Sequence, residues 1–108
     1  MSTRTVKLNR KYEAHGKVFD AVSLRPPTLS DFFSIGEPVE LHPGPDGSGR
    51  YVIEHNERIS AYLDRLAVPG EPGLECIGQV ELRDAMAIKE AITGFFLEAR
   101  KPRDAPTS

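Results

Sequence analysis

Alternation of apolar and polar residues at the start of the chain predicts a β-hairpin. In Thr5–Tyr12, Val6 and Leu8 point to one side and the polar residues between them point to the other, which is the period of a half-buried strand. The segment Glu13–Lys17 then supplies a turn, in which Gly16 can adopt a positive φ. The chain is therefore expected to return as a second strand.

The second strand, expected from Val18 to Arg25, has two candidate registers. Its last residues continue the apolar face, but Asp20 falls on the same face. Either a β-bulge near Asp20 shifts the register, or Phe19 and Ala21 form the inner face first. Both arrangements remain open at this point.

The stretch LRPPTLSDFFSIG predicts a sharp joint between this hairpin and a short helix. Pro26 and Pro27 cannot donate to a sheet ladder, so the strand ends there. Thr28 and Asp31 have the spacing of a capping box, with Asp in place of the usual Glu. A helix is therefore predicted over Leu29–Ile35, and the glycine that follows it is a natural stop.

The middle of the chain is compatible with a second hairpin. Val39–His42 and Arg50–Glu54 would flank a turn rich in Pro, Gly and Asp. An irregular loop over the same residues is the alternative.

Two amphipathic helices are predicted after this segment, separated by a connector at Val68–Gly73. Asn56 is expected to cap the first helix, which extends to Ala67, and the second helix covers Glu81–Arg100. Apolar residues in both helices recur at the spacing of one helical face. They are Ile59, Tyr62, Leu63 and Leu66 in the first helix, and Ala85, Ile88, Ile92, Phe95 and Ala99 in the second, with Phe96 at the edge of the second stripe.

The predicted architecture is an α+β fold. An N-terminal antiparallel hairpin, with a candidate second hairpin at about 39–54, packs on a small layer of two main helices plus one short helix. A chain of 108 residues suits one domain, expected at 1–101, with a flexible C-terminal tail at 102–108 that begins at Pro102. The residues expected to be mostly buried are Val6, Leu8, Val22, Leu24, Phe32, Ile59, Leu63, Ile88, Ile92 and Phe95.

Charge and composition argue against several classes of partner and location. The net charge is -2 and the basic residues are mostly interleaved with acidic ones, so binding to nucleic acid is not expected. No apolar run approaches the roughly 18 residues of a membrane-spanning helix, and the N-terminus lacks the apolar segment of a secretory signal. The single cysteine, Cys76, cannot form an internal disulfide. We therefore expect a cytoplasmic protein.

Candidate metal-binding and catalytic residues do not form a recognisable motif. His15, His42, His55 and Cys76 match no zinc-binding spacing, and Cys76 has no oxyanion-type motif beside it. The Gly-rich stretch Gly44–Gly49 lacks the Lys and Ser/Thr that end a phosphate-binding loop. We expect no catalysis, no metal and no cofactor, and interpret the chain as a small module that binds or scaffolds other proteins.

Motifs at both ends of the chain extend this interpretation. After the first hairpin, with its turn at His15-Gly16, the pattern L-R-x-P-T-x-x-D is filled by Leu24, Arg25, Pro27, Thr28 and Asp31. Near the C-terminus, an apolar residue, a capping position, an Asp and a Gly-Phe-Phe follow in order at Val80, Glu81, Asp84, Gly94, Phe95 and Phe96. Together these segments resemble the small tail assembly chaperones of Mu-like tailed phages and prophages. The middle of the chain departs from that family, as does Glu81, where the family has Ser or Thr.

The resemblance implies a non-enzymatic assembly factor that acts in the cytoplasm of the host bacterium and is absent from the mature virion. Such proteins are thought to bind the long tape measure protein and keep it soluble until tail tube subunits polymerise around it. The implied partners are the tape measure protein and, as a second candidate, the tail tube protein; self-association into a homo-oligomer is a further candidate. Alternative functions are a small structural or connector component of the tail, or a regulatory adaptor that binds a host protein.

A second apolar seam on the final helix is the candidate partner-binding surface. On a helical wheel, Leu82, Met86 and Leu97 lie close to one line away from the core stripe, and Phe96 lies at the edge of that stripe. A surface helix with one core stripe is normally polar there. The seam therefore either contacts a partner or is covered by another part of the chain, such as Pro38–Glu54.

Overall fold

The computed structural model describes residues 2–14, 16–45, 47, 49–68 and 78–100. These residues form two antiparallel β-hairpins and three helices, so the α+β prediction and the second hairpin are confirmed. The elements in chain order are β1 (Arg4–Ala14), β2 (Lys17–Leu24), α1 (Leu29–Ile35), β3 (Val39–Pro43), β4 (Arg50–Glu54), α2 (Asn56–Leu66) and α3 (Leu82–Ala99). The predicted C-terminal tail, and the predicted connector apart from Val68, lie outside the described residues.

The apolar core joins the first hairpin to α2 and α3, with one contribution from β3. Its members are Leu8, Val22, Leu24, Val39, Ile59, Tyr62, Leu63, Leu66, Ile88, Ile92, Phe95 and Phe96. Both predicted helical stripes therefore supply the core, except that Ala85 is only partly buried and Ala99 is exposed. Val6 is partly buried and packs against this core, but one expectation needs correction, because Phe32 is 37% exposed. Phe32 belongs to the short helix α1, which lies at the edge of the core and contacts it through one side only.

The pairing of the first hairpin shifts in the middle of β1. Lys7 pairs with Ala21, but the next pair joins Tyr12 to Phe19. Between these two pairs, β1 therefore contains more residues than β2 does. This irregularity lies opposite Asp20, which is exposed. Phe19 packs against the core and stacks on Tyr12 with ring centroids 5.7 Å apart. A register shift and an inward Phe19, which were alternatives in the sequence, therefore occur together.

A buried carboxylate of α3 accepts hydrogen bonds from the irregular part of β1. The backbone N–H of Asn9 donates to Oδ1 of Asp84, and the hydroxyl of Tyr12 donates to Oδ2, both at 2.6 Å. The same hydroxyl accepts the N–H of Glu81 at 3.1 Å. Burial alone raises the pKa of Asp84, but the hydrogen bonds from Tyr12 and from the backbone outweigh it, so the pKa lies below its ordinary value. Asp84 thus satisfies a backbone group that the sheet leaves unpaired.

The joint after β2 has the predicted capping box. The N–H of Asp31 donates to the Thr28 hydroxyl at 3.4 Å, and the Thr28 N–H donates to Oδ2 of Asp31 at 2.9 Å. Helix α1 ends at Gly36, whose φ of 95° lies in the region that favours glycine. These contacts turn the chain from strand to helix within four residues, one more than the sequence predicts, because β2 ends at Leu24 and not at Arg25.

Asp31 also ties this joint to α2. Its side chain is only 4% exposed, and it binds the guanidinium of Arg25 through two contacts of 2.7 and 3.1 Å. Nη1 of Arg65, on α2, lies 3.4 Å from Oδ1. The guanidinium of Arg25, together with the Thr28 donors, holds the pKa of Asp31 well below its ordinary value despite burial.

The end of α2 returns to the end of β2 through backbone contacts. The N–H of Arg25 donates to the carbonyl of Leu66 at 2.8 Å, and the N–H of Val68 donates to the carbonyl of Ser23 at 3.1 Å. Leu24 and Ala67 form an isolated antiparallel bridge between these bonds. The first hairpin is therefore attached to α2 by backbone hydrogen bonds as well as by the core.

Two predicted helix starts differ from the structure. Helix α2 begins at Asn56 itself, and His55 occupies the cap position without a side-chain cap. Oδ1 of Asn56 instead accepts Nζ of Lys89 at 3.1 Å, so it is used between helices. Helix α3 begins at Leu82, and Glu81 at its cap position also makes no side-chain cap. Its first turn is fixed by Asp84 instead.

The capping box predicts the effect of removing the Thr28 hydroxyl. Thr28→Ala should lower the free energy of unfolding by about 1 kcal/mol, because the N–H of Asp31 loses its acceptor. Denaturant unfolding measures this change, with Ser34→Ala in the same helix as an exposed control. Equal midpoints for the wild type and Thr28→Ala would show that Thr28 does not cap the helix.

The lowered pKa of Asp31 predicts acid sensitivity. The folded state favours the carboxylate, whereas the unfolded chain takes up a proton near its ordinary pKa of about 4. The contribution of Asp31 to the free energy of unfolding is therefore complete above about pH 5 and declines as the pH falls from about 5 toward about 2. In Asp31→Asn this contribution is absent, so unfolding free energy should fall less steeply with acid than in the wild type. Asp20→Asn, at an exposed position, should retain the wild-type slope; an unchanged slope in Asp31→Asn contradicts the assignment.

Candidate protein-binding surface

Helix α1 presents a cluster of large apolar side chains to solvent. Phe33 is 78% exposed, Leu29 is 66% exposed and Phe32 is 37% exposed; we call these three residues the α1 patch. Leu29 and Phe33 are four residues apart, so they lie on one side of the helix. The contacts of Asp31 hold the other side of the helix against the rest of the protein, so the α1 patch faces solvent.

A shallow groove lies beside the α1 patch, between α1 and the C-terminal part of α3. Its volume is about 460 Å³, and its apolar lining comprises Pro27, Leu29, Phe32, Phe95, Phe96 and Ala99. Phe32 forms one wall of the groove. Its ring packs near that of Phe96, with the two ring centroids 6.2 Å apart. Thr28 and Arg100 add polar groups to the lining. An apolar groove with a polar margin is suited to one face of an amphipathic helix.

Phe96 also contacts Tyr62 of α2. Their ring centroids are 4.8 Å apart with the planes inclined by 60°, a favourable aromatic arrangement. The Tyr62 hydroxyl donates to the carbonyl of Gly36 at 2.8 Å, which connects α2 to the end of α1. The groove is therefore built on residues whose positions are set by the core.

The residues predicted to bind a partner are divided between two places on α3. Leu82 and Met86 are 75% and 55% exposed near the start of the helix. Phe96 is buried and lines the groove, and Leu97 is partly buried against the core. With a rise of 1.5 Å per residue, Leu82 and Phe96 are separated by about 21 Å along the helix axis. The structure therefore brings Leu82 and Met86 together and places Phe96 at a different surface.

Part of the predicted seam is covered within the chain. Strand β3 packs against α3, and Thr93, which lies on the seam between Met86 and Leu97, is buried. Nζ of Lys89 lies 3.0 Å from a carboxylate oxygen of Glu54, which attaches the base of the second hairpin to α3. Leu82 and Met86 remain exposed beyond this contact.

Two of the candidate metal ligands meet on the second hairpin. Nε2 of His42 lies 3.2 Å from Oε1 of Glu40, and Nε2 of His55 contacts Oε2 of the same carboxylate. These hydrogen bonds lower the pKa of Glu40, and the bond with His55 has a larger effect than the bond with His42. Within the described part of the chain, no group of three His, Cys, Asp or Glu side chains is arranged to hold a metal ion. His15 and Cys76 lie outside the described residues.

The sequence interpretation missed the exposure of Leu29 and Phe33. The short helix α1 contains four large apolar residues, Leu29, Phe32, Phe33 and Ile35. However, a helix of seven residues completes only two turns. Four large apolar residues within two turns point in several directions, so some of them must face away from the core. The number of large apolar residues in so short a helix was therefore the sequence signal for an exposed apolar surface.

Comparison of this chain with protein-family models, with curated proteins and with solved structures finds no match. Among the described residues, no helix has the length and apolar character required to cross a membrane.

Proposed function

We propose that this chain is a phage or prophage tail assembly chaperone that binds the tape measure protein and assists tail tube assembly, without catalysis. The proposal rests on the resemblance at both ends of the sequence and on one structural observation. That observation is an apolar groove whose outer side consists of exposed residues of the α1 patch.

The expected partner has the chemistry that this groove accepts. A tape measure protein is long and helical, and it exposes apolar seams until the tube encloses it. One such seam would lie along Phe32 and Phe96, while Phe33 and Leu29 would cover its side. Aromatic side chains are well suited to such contacts because they contribute a large area at low conformational entropy.

The exposed pair Leu82 and Met86 is a second candidate contact with the same partner. Met is flexible and polarisable, so it can adapt to irregular apolar surfaces. Because this pair lies at the other end of α3, a helix bound in the groove need not reach it. The two surfaces can therefore be tested separately.

The direct experiment is co-expression of the full chain with the tape measure protein encoded in the same genome, followed by pull-down. Leu29→Asp and Phe33→Asp change exposed residues, so both variants should fold and lose most of the co-purified tape measure protein. The double variant Leu82→Lys with Met86→Lys tests the second surface. Val18→Asp is the matched control, because Val18 is 64% exposed on the first hairpin.

Retention of the tape measure protein by all the variants would contradict the assignment of these surfaces. Failure of the wild-type chain to bind it at all would contradict the function. Mass spectrometry of purified particles distinguishes the main alternative, since a connector component would be present in them and a chaperone would be absent.

A further inference from the structure

Strand β4 is an exposed edge with apolar side chains. All five of its residues are exposed, including Tyr51 at 51%, Val52 at 50% and Ile53 at 38%. Among the residues that the structure describes, its sheet contains only β3 and β4, so no described strand pairs with the other side of β4. Isolated two-stranded hairpins are marginally stable in water. Strand edges of this kind commonly pair with another strand unless they are blocked by Pro, Lys or a bulge, and β4 contains neither Pro nor Lys.

The hydrogen-bond pattern of the hairpin determines which backbone groups face the open edge. The N–H of His55 donates to the carbonyl of Pro38 at 2.9 Å, and the N–H of Gly44 donates to the carbonyl of Gly49 at 2.8 Å. Opposite residues in an antiparallel sheet alternate between hydrogen-bonded and non-hydrogen-bonded pairs. Because the hairpin has a hydrogen-bonded pair at each end, the alternation makes Tyr51 and Ile53 the β4 residues whose backbone groups bond to β3.

The remaining residues of the strand therefore present their backbone to solvent. The N–H and C=O groups of Arg50, Val52 and Glu54 point away from β3, at every second position along the edge. A strand added there would use these three residues.

The sequence of β4 is complementary to itself when reversed. If a second copy is placed antiparallel with Val52 on the two-fold axis, Val52 lies opposite Val52 and Tyr51 lies opposite Ile53. Arg50 then lies opposite Glu54, and the two-fold axis creates this charge pair twice. In this arrangement, Arg50, Val52 and Glu54 are also the residues whose backbone N–H and C=O groups can form hydrogen bonds with the second copy. Shifting the register by two residues would move the ends of each strand past its partner and separate the opposite charges.

We propose that β4 is a contact between two copies of this chain, which joins their second hairpins edge to edge into one antiparallel sheet of four strands. Glu54 can take part while it remains bonded to Lys89, because a carboxylate has two oxygens and only Oε1 is used at 3.0 Å. On the other face, Ile53 of the second copy packs beside Tyr51, whose ring already stacks on His42 at 5.4 Å.

A contact between two short strands is smaller than the roughly 1,600 Å² of a standard stable interface. Dimer formation should therefore be reversible and depend on concentration. This inference is independent of the proposed chaperone function, since it concerns only copies of the same chain.

The test is sedimentation velocity of the full chain over a wide range of concentration, with circular dichroism as the check that each variant is folded. The wild type should shift from monomer to dimer. Val52→Pro removes an N–H at the open edge without removing a bond to β3. It should raise the dimer dissociation constant by about tenfold or more, because two symmetry-related hydrogen bonds are lost. Val52→Thr retains the N–H and should still dimerise.

A charge exchange tests the register. Arg50→Glu places like charges opposite each other in a dimer, as does Glu54→Lys, so each variant alone should remain monomeric. An equal mixture of the two should dimerise, because each like-charge pair becomes an opposite-charge pair. A wild type that is monomeric at every concentration, a Val52→Pro variant that dimerises like the wild type, or a mixture that stays monomeric would each overturn the proposal.

Discussion

Two buried aspartates, each at the third position of a helix, connect the first hairpin to the helical layer. Asp31 in α1 binds the guanidinium of Arg25 at the end of β2. Asp84 in α3 accepts the N–H of Asn9 and the hydroxyl of Tyr12 from β1. A buried carboxylate is costly unless its lone pairs are satisfied, so each contact constrains both of its partners. The start of a helix is a favourable place for this negative charge.

These two contacts determine which surfaces remain available. Asp31 fixes α1 by its inner side, so Leu29 and Phe33 face solvent next to the groove. Asp84 fixes the start of α3 against β1, and Leu82 lies on the outer side of the same turn. The second hairpin is attached separately, through the buried Val39 and through Lys89, and its outer strand extends away from these contacts. The candidate binding surfaces are therefore consequences of how the fold is anchored.

The sequence predicted the features that depend on neighbouring residues. The capping box of Thr28, the strand alternation and both helical stripes are encoded within a few positions, and all are present. The contact of Asp84 with Asn9 joins residues 75 positions apart, and no local pattern indicates it. Asn56 was misread for a similar reason, because its side chain bonds to Lys89 on another helix instead of capping its own. The candidate site was only partly predictable, since exposure of Leu29 and Phe33 depends on where α1 docks.

The residues that carry the family resemblance have structural roles in this fold. Asp31 and Asp84 form the two anchors. Gly94 lies where a Cβ atom would approach Nη1 of Arg4 to 2.8 Å, and the Arg4 guanidinium lies 4.2 Å from the ring centroid of Phe95. These motif residues therefore have positions that the fold of this chain explains, whereas contacts with a partner would involve the exposed residues of α1, α3 and β4.

Native-state hydrogen exchange at the amide of Asn9 measures whether Asp84 anchors the irregular part of β1. This amide lies outside the paired register of the hairpin, so without the Asp84 contact it would exchange as fast as an exposed loop amide. We expect slow exchange at this amide, comparable to the paired amides of β1, because the N–H is bonded to a buried carboxylate at 2.6 Å. Rapid exchange at Asn9 in a chain whose other β1 amides are protected would contradict it.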